Sequence, residues 1–266
     1  YRSAVFTNLS PEHIERHGGF EKYREAKLKL FEKVATKNGG VGVYNLDDPN
    51  VNYFLKPNIT KKIGYTLNPK LESGDFQKII AVKNLKLSLK GSAFEIDGAK
   101  FVLPLIGEFN VYNAVAAIAF AFSQGISLVK IKETLMTAKF LPGRLEIVDT
   151  GQNFTVIIDY AHEPASLEAI YKTANLFKPK KIIGLLGSQG GGRDKWKRAA
   201  MAKIAEKYCD EIIFTNEDPY DEEPIEIIND MAEVVGSKRV YKILDRKEAI
   251  KKAISIARKG DIVILT

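Results

Sequence analysis

The sequence predicts an α/β protein with two domains, and three observations support this prediction. From residue 150 onward, short apolar segments alternate with segments of helical periodicity, which is typical of a mostly parallel, Rossmann-like sheet. Between residues 60 and 105, glycines punctuate short apolar runs, which predicts antiparallel β structure. Phe140-Leu-Pro-Gly143 interrupts a helical pattern, so we expect one domain over residues 1–140 and a second over residues 141–266.

The composition is that of a globular protein, and it narrows the possible functions. The 266 residues are enough for two ordinary domains, with 45% hydrophobic and 27% charged residues. The net charge of +7 is spread along the chain without an aromatic-interleaved basic stripe, so we expect no nucleic-acid partner. No apolar run is long enough to span a membrane, so we expect a cytoplasmic protein. Cys209 is the single cysteine and is expected to be a buried core thiol.

The N-terminal part begins with a short strand and a long helix. The helix is predicted from apolar residues at helical spacing, and Gly39 with Gly40 ends it. In the antiparallel region, glycines at 64, 74, 91 and 98 separate the apolar runs. The predicted elements are, in order, a strand at 4–7, a helix at 20–37, a strand at 41–44, β runs at 79–82, 85–89 and 100–104, and helices at 110–123 and 128–138.

In the C-terminal part, two predicted strands run directly into polar motifs. The first ends in Asp159-Tyr-Ala-His162 and the second in Gly187-Ser-Gln-Gly-Gly-Gly-Arg-Asp194. Either loop alone could be a solvated connection, but the carboxyl ends of parallel strands share one sheet edge, where α/β folds bind ligands. The predicted strands are 154–159, 181–187, 211–215, 239–243 and 261–265, and the helices between them lie near 164–177, 194–208, 224–235 and 246–258.

Several motifs in one order resemble the Mur ligase family, most closely its UDP-N-acetylmuramoyl-tripeptide synthetase (MurE) type. They are Phe6-Thr-Asn-Leu-Ser10, Glu12-His13-Ile-Glu15, Tyr23-Arg-Glu-Ala-Lys27, Asn45-Leu-Asp-Asp-Pro49, Gly107-Glu-Phe-Asn-Val-Tyr-Asn113-Ala114, Pro142-Gly-Arg-Leu-Glu146, Asp159-Tyr-Ala-His162, Gly190-Gly-Gly-Arg-Asp194 with Lys197-Arg198, and Glu217-Asp-Pro-Tyr220. The resemblance covers nearly the whole chain. It implies a partial central ATPase domain in residues 1–140 and a Rossmann-like C-terminal domain in residues 141–266.

The resemblance also implies that the chain is a fragment. The family's uridine-binding N-terminal domain, its Gly-Lys-Thr/Ser phosphate loop and its C-terminal Gly-Lys-Gly-His-Glu segment are not found in this sequence. We therefore expect the fragment to be inactive by itself.

The activity that the resemblance implies is ATP-dependent amide-bond formation in peptidoglycan synthesis. A carboxylate is a poor electrophile, so ATP first converts it to an acyl phosphate, which an amine then attacks. The site must gather and stabilise several negative charges, which calls for Mg²⁺, Lys and Arg. The implied partners are small molecules: ATP, UDP-N-acetylmuramoyl-L-alanyl-D-glutamate and a diamino acid. A monomer without nucleic-acid or membrane partners is expected.

Two residues of the N-terminal part resemble metal-site residues of the family. Lys27 matches the lysine that becomes carbamylated, which turns a cation into a carboxylate able to hold a second Mg²⁺. His13 matches a histidine that binds Mg²⁺. From the residues alone, Lys27 could equally be a solvated lysine on an amphipathic helix, and His13 could be a residue at a helix start.

Four further residues match positions around ATP. Asn113 resembles the residue that contacts adenine, and Arg144 resembles the arginine against the ATP phosphates, where a planar guanidinium suits oxyanions. Asp159 and His162 match positions around the ribose and the closed domain interface. The alternatives are a core amide for Asn113 and a domain-hinge salt bridge for Arg144.

The expected acceptor site departs from part of the family. Arg193 matches the arginine that grips the carboxylate of the amino acid. Members that add diaminopimelate carry Asp-Asn-Pro-Arg, whereas this chain has Glu217, Asp218, Pro219 and Tyr220, so the second arginine is lost. We expect the acidic residues 221–223 to complete a ring of carboxylates that suits an ammonium group. This predicts lysine or ornithine as the acceptor, although these residues could instead cap the next helix.

Two other functions are compatible with parts of the sequence. A folylpolyglutamate-synthetase-like or cyanophycin-synthetase-like ligase shares the architecture, but Thr7-Asn-Leu-Ser10 with Glu12-His13 argues against it. A non-catalytic remnant of the fold would explain a missing phosphate loop. The joint presence of His13, Lys27 and Arg144 argues against a remnant.

Overall fold

The computed structural model describes residues 1–70 and 75–266, so the predicted break at Gly74 lies outside the described residues. The described chain forms two compact units, Tyr1–Lys139 and Phe140–Thr266. Across the described ranges, no helix is both long and apolar enough to cross a bilayer.

The first unit combines a parallel sheet with a small antiparallel one. Its elements are β1 (Ser3–Phe6), α1 (Ile14–His17), α2 (Phe20–Ala35), β2 (Val41–Asn45), α3 (Val51–Phe54), β3 (Lys61–Thr66), β4 (Lys78–Ala81), β5 (Lys83–Ser88), β6 (Gly91–Ile96), β7 (Ala99–Leu103), α4 (Glu108–Ser123) and α5 (Leu128–Leu135). Strands β1 to β4 pair in parallel in chain order, and β5 to β7 form an antiparallel meander.

The predicted antiparallel structure over residues 60–105 is confirmed for β5 to β7 and is wrong for β3 and β4. The last four residues of β3 are all buried, as in a parallel strand that is covered on both faces. Gly64, taken as a break, lies inside β3, where a Cβ atom would come within 2.7 Å of the Leu46 side chain. The glycine therefore allows close packing rather than a turn.

Helices cover the parallel sheet of the first unit through apolar faces. Helix α4 packs on it with Val111, Val115 and Ile118, and α2 packs with Phe31 and Val34, all of which are buried. Burial of these side chains at helical spacing explains why both helices could be predicted from the sequence.

The second unit is a Rossmann-like sheet with helices between its strands, as predicted. Its elements are β8 (Glu146–Val148), β9 (Thr155–Ile158), α6 (Pro164–Asn175), β10 (Ile182–Leu186), α7 (Trp196–Tyr208), β11 (Glu211–Phe214), α8 (Pro224–Glu233), β12 (Arg239–Lys242), α9 (Arg246–Ile256) and β13 (Ile262–Leu265). The strand order is β12-β11-β10-β13-β9-β8, and every pair is parallel except β8 with β9. Cys209 is fully buried, and burial raises the pKa of its thiol to about 12, which confirms a core thiol.

Candidate functional site

Asp159 stands at the carboxyl end of β9, at the edge where ligands bind in parallel sheets. Its main-chain amide donates to Leu265 O at 3.0 Å, which ties it to the end of β13. Its Oδ2 accepts a hydrogen bond of 2.7 Å from the amide of Leu145. Burial raises the pKa of Asp159, and the Leu145 amide, Arg144 and the Ala161 amide oppose that rise. A partly buried, ionisable carboxyl group therefore lies at this edge.

Arg144 and His162 lie in the same cluster. The guanidinium carbon of Arg144 lies 4.7 Å from the centroid of the Tyr160 ring. That ring packs edge-on against His162 with centroids 4.9 Å apart, and His162 Nδ1 lies 2.9 Å from the carbonyl oxygen of Tyr160. The structure thus places Arg144, Asp159 and His162 around one tyrosine, while their roles toward ATP stay predictions.

A cavity of about 540 Å³ opens beside this cluster. Its lining residues are Ile158, Asp159, Tyr160, Ala161, His162, Asn216, Glu217, Asp218, Arg246, Ile250, Leu265 and Thr266. Sequence reasoning did not single out Arg246, which donates from Nη1 to Asn216 O at 3.3 Å and from Nη2 to Thr266 O at 2.5 Å. These bonds join the ends of β11 and β13. One sequence feature could have pointed to Arg246 as a cavity residue, namely its place at the start of a helix that follows a predicted parallel strand.

The glycine-rich loop after β10 packs directly on the loop that contains Glu217 to Tyr220. The amide of Gly190 donates to Asp218 O at 3.1 Å. A Cβ atom at Gly190 would lie 2.1 Å from Pro219 O, and one at Gly191 would lie 2.7 Å from the Tyr220 ring. Only glycine permits this approach. The structure therefore brings together the two loops that carry the predicted acceptor residues.

The predicted acceptor residues differ in exposure. Arg193 and Glu217 are half-buried, and Asp218 is exposed. Tyr220 is 64% exposed, and its backbone is in the left-handed region with φ of 54°. Tyr220 is thus largely exposed to solvent, at the position that the resemblance matches to the arginine of Asp-Asn-Pro-Arg.

The expected ring of carboxylates is wrong for Glu222. This side chain forms ion pairs with Lys195 at 2.8 Å and with Arg198 at 3.0 Å. Its pKa is lowered, mainly by the hydrogen bond from Lys195 and also by Arg198. Glu223 is the residue that precedes α8, as in the alternative interpretation as a helix cap. Of the acidic residues between 217 and 223, Glu217 and Asp218 are the ones that line the cavity.

The two candidate metal-site residues lie in the first unit. His13 is the residue before α1, with φ of 54°, and its Nε2 lies 3.4 Å from Glu12 Oε1. Lys27 is exposed on α2, with its Nζ 5.0 Å from the centroid of the Tyr23 ring. Within residues 1–70 and 75–266, no group of three or more His, Cys, Asp or Glu side chains is placed to hold a metal ion.

Asn113 is exposed on α4, and its Nδ2 lies 3.5 Å from Asn110 Oδ1, so its interpretation as a core amide is wrong. The adjacent Tyr112 donates its hydroxyl proton to Asp47 Oδ2 at 3.0 Å. Asp47 also accepts from Thr66 Oγ1 at 2.5 Å and from the amide of Leu67 at 2.7 Å. Asp47 therefore fixes the helix that presents Asn113, a role that sequence reasoning missed.

The fold and the site define a ligand-binding α/β protein, because a parallel sheet places ionisable side chains beside a cavity at its carboxyl edge. Comparison with known families is more specific. Residues 1–121 match the Mur ligase middle domain, and residues 143–266 match the domain described as Mur ligase, glutamate ligase domain. The chain belongs to the Mur ligase family, as its motifs predicted.

Two similar curated relatives carry the same name. The UDP-N-acetylmuramoyl-L-alanyl-D-glutamate--2,6-diaminopimelate ligase of Halalkalibacterium halodurans is 39% identical over 98% of this chain and 53% of its own length. The ligase of the same name from Aquifex aeolicus is 39% identical over 100% of this chain and 53% of its own length. The chain thus spans about half the length of the curated relatives it matches.

Solved structures agree with this assignment. A structure of a UDP-N-acetylmuramoyl-L-alanyl-D-glutamate--2,6-diaminopimelate ligase matches 99% of this chain and 54% of its own, with 31% identity and a TM-score of 0.59. The folylpolyglutamate synthase of Mycobacterium tuberculosis matches 100% of this chain and 61% of its own, with a TM-score of 0.74 and 20% identity. At that identity the second match shows a shared fold alone.

Proposed function

We propose that the intact protein is an ATP-dependent ligase of peptidoglycan precursor synthesis. It would join the free carboxylate of UDP-N-acetylmuramoyl-L-alanyl-D-glutamate to an amine of a diamino acid through an acyl phosphate. The observation that carries this proposal is the tandem match to the middle and C-terminal Mur ligase domains, together with relatives at 39% identity that are named for this reaction. The folylpolyglutamate alternative has support from the fold alone.

The cluster around Tyr160 suits the nucleotide end of this reaction. The exposed Arg144 can offer two parallel N–H donors to phosphate oxygens, and the Tyr160 ring fixes the plane of its guanidinium. Asp159 offers a carboxylate oxygen that could accept from a ribose hydroxyl. Exposed Asn113, held on α4 next to the Tyr112–Asp47 hydrogen bond, would contact adenine.

Carbamylation of Lys27 would add to His13 an oxygen ligand of the kind that Mg²⁺ prefers. His13 supplies a ring nitrogen, and carbamylated Lys27 would supply carboxylate oxygens from the neighbouring helix, since α1 and α2 contact each other. When bound, Mg²⁺ neutralises charge on the phosphates. Lys27 is exposed, so CO₂ can reach its amine, which reacts when it is neutral.

The acceptor amino acid would lie between the glycine-rich loop and Glu217–Tyr220. Arg193 would hold its α-carboxylate, and Glu217 with Asp218 would attract the side-chain ammonium. Tyr220 favours lysine or ornithine, because a second carboxylate would lack a guanidinium there. The names of the relatives favour diaminopimelate. An acceptor assay decides between the two.

The substrates of this reaction also indicate where the protein works. ATP and a UDP-linked precursor are cytoplasmic compounds, so we infer a cytoplasmic enzyme. We infer a monomer as well, since the implied partners are small molecules. A solution mass of two copies would contradict that part of the proposal.

The direct test supplies the intact enzyme with ATP, Mg²⁺, UDP-N-acetylmuramoyl-L-alanyl-D-glutamate and a panel of amino acids. Phosphate release and the product mass are measured together. We expect one phosphate per amide product, and dependence on both donor and acceptor. Phosphate release with dihydrofolate and glutamate but not with the UDP-linked donor would contradict the proposal.

A further inference from the structure

Arg198 is a buried arginine beneath the two loops that carry the candidate acceptor residues. We name residues 187–194 the glycine loop and residues 215–223 the acceptor loop. Arg198 lies on α7 and is 3% exposed. Arg198 follows Lys197 in one of the family motifs, but the proposed reaction assigns no role to it.

The guanidinium of Arg198 reaches both loops and the following helix. Its Nη2 donates to both carboxylate oxygens of Glu222 at 3.0 Å each, and lies 3.5 Å from Gln189 O in the glycine loop. Its Nη1 donates to Asp230 Oδ2 on α8 at 2.9 Å. One planar cation thus joins the glycine loop, the acceptor loop and α8.

The glycine loop and the acceptor loop pack so closely that no side chain fits between them at Gly187 or Gly190. A Cβ atom at Gly187 would lie 2.8 Å from the Glu217 Cβ, and one at Gly190 would lie 2.1 Å from Pro219 O. The glycine loop therefore meets the acceptor loop through backbone, with the Gly190–Asp218 hydrogen bond between them. Glycines have no side chain that could pack between the loops, so the contacts of Arg198 with Gln189 and Glu222 add a side-chain connection to the backbone hydrogen bond.

Because Arg198 is buried, removing Glu222 would leave a desolvated guanidinium without one of its partners, which is costly. The guanidinium is desolvated and bound by two carboxylates, whereas Lys195, which also pairs with Glu222, is 61% exposed and contributes weakly. A lysine at position 198 keeps the charge but loses the planar fork, whose Nη2 binds Glu222 while its Nη1 binds Asp230.

We propose that Arg198 is a positioning residue for the amino-acid acceptor. It sets the spacing between Arg193 in the glycine loop and Glu217, Asp218 and Tyr220 in the acceptor loop. This inference rests on the proposed ligase function. Arg198 itself does not line the cavity, so it would act through the two loops.

The test uses Arg198→Lys and Glu222→Gln in the intact enzyme. We expect the KM for the amino acid to rise on the order of 10-fold or more, because small displacements of binding groups are costly. The KM for ATP should change by less than about 2-fold, because the hydrogen bonds of Arg198 go to Gln189, Glu222 and Asp230, which lie outside the cluster around Tyr160. Lys203→Ala is the matched control on α7, since it breaks only the exposed pair with Glu206.

Three outcomes separate this proposal from the proposed function. An unchanged acceptor KM in both variants overturns the role of Arg198 while the ligase function stands. A decrease in kcat with similar increases in the KM values for ATP and for the amino acid also overturns it, because this pattern indicates general damage to the fold.

If the wild-type enzyme shows no acceptor-dependent phosphate release, the proposed function fails, and the role of Arg198 is tested by amide hydrogen exchange. Faster exchange in residues 187–194 and 217–223 of Glu222→Gln, with Lys203→Ala unchanged, then supports the coupling of the loops, and equal exchange overturns it.

Discussion

The carboxylate of Asp159 accepts a 2.7 Å hydrogen bond from the main-chain amide of Leu145. Leu145 is fully buried and has φ of 47°, a left-handed conformation that is costly for a leucine. This hydrogen bond, which Asp159 accepts, helps to stabilise that conformation. It also holds the adjacent Arg144 beside Tyr160. One carboxylate thus links the geometry of the turn to the position of the candidate phosphate-binding arginine.

Asp159→Asn should stabilise the protein at neutral pH and not at low pH. Asn keeps an acceptor for Leu145 but has no charge to bury. Burial raises the pKa of Asp159 in the folded protein, so protonation of this carboxyl group favours folding. The contribution of Asp159 to stability is therefore complete below the ordinary pKa of 3.8 and is lost as pH rises through the folded pKa. Urea unfolding at several pH values should show an advantage of Asn over Asp that vanishes below about pH 3.8. Equal differences at all pH values would contradict this.

Asp159→Ala is the matched comparison, because it removes the acceptor as well as the charge. The Leu145 amide is then left without its partner, so we expect Asp159→Ala to be less stable than Asp159→Asn by about 1–3 kcal/mol at every pH. An alanine variant as stable as the asparagine variant would show that the hydrogen bond contributes nothing.

Asp47→Ala should destabilise the first unit by on the order of 3 kcal/mol. The substitution leaves Thr66, Leu67 and Tyr112 without their shared acceptor. Tyr112→Phe removes only one of these bonds and should cost about 1 kcal/mol. Denaturant unfolding of both variants measures the difference. A larger loss for Tyr112→Phe than for Asp47→Ala would contradict the network.

Gly184→Ala should destabilise the second unit by about 1–3 kcal/mol through overpacking. A Cβ atom there would lie 2.6 Å from the Cys209 sulfur and 2.7 Å from the Tyr171 hydroxyl oxygen, both of which are buried. Gly236→Ala is the control, because its nearest neighbour is Glu206 Oε1 at 3.9 Å, and it should change stability by less than about 0.5 kcal/mol. Equal thermal midpoints for Gly184→Ala and wild type would contradict the packing argument.

Lys27→Ala should lower kcat of the intact enzyme on the order of 10²-fold or more, because a ligand for phosphate-neutralising metal is lost. Added bicarbonate should raise wild-type activity at low CO₂, and short-chain carboxylates should partly rescue the variant. Lys29→Ala, an exposed lysine on the same helix, is the control and should keep activity. A near wild-type kcat for Lys27→Ala would exclude the carbamylated-lysine role.

Much of the second unit could be predicted from the sequence, because its strands are short apolar runs between clear helical patterns. The edge strand β8 was missed, since three residues with partial burial carry no periodic signal. In the first unit, β3 and β4 were assigned to the wrong sheet type. Strand β3 pairs in parallel with β2 on one side and with β4 on the other. The spacing of residues within one segment does not reveal which segment it pairs with.

Part of the candidate site was also visible in the sequence. Asp159, His162 and Arg193 could be found because they directly follow predicted strands. The partners of Arg198 and Arg246 could not be predicted, because they lie 9 to 32 and 20 to 30 residues away along the chain. Contacts over such separations depend on how loops pack on one another, which a single sequence does not reveal.

The position of Tyr220 gives the sharpest prediction about the acceptor. Arg193 can hold one carboxylate, and a second carboxylate beside Tyr220 would meet a hydroxyl instead of a guanidinium that could bind it through two parallel hydrogen bonds. Arg246 lines the cavity, but its Nη1 and Nη2 already donate to the carbonyls of Asn216 and Thr266. We therefore expect discrimination on the order of 10²-fold against diaminopimelate.

The measurement that tests the ligase account most directly is kcat/KM of the intact enzyme for L-lysine, L-ornithine and meso-diaminopimelate, with UDP-N-acetylmuramoyl-L-alanyl-D-glutamate and ATP saturating. The account predicts amide formation with a preference for lysine or ornithine. It also predicts a shift toward diaminopimelate in Tyr220→Arg, with Tyr220→Phe as the control that keeps the ring against Gly191. A wild-type preference for diaminopimelate that Tyr220→Arg leaves unchanged would contradict the assignment of the acceptor loop, and no amide product with any of the three would contradict the proposed function.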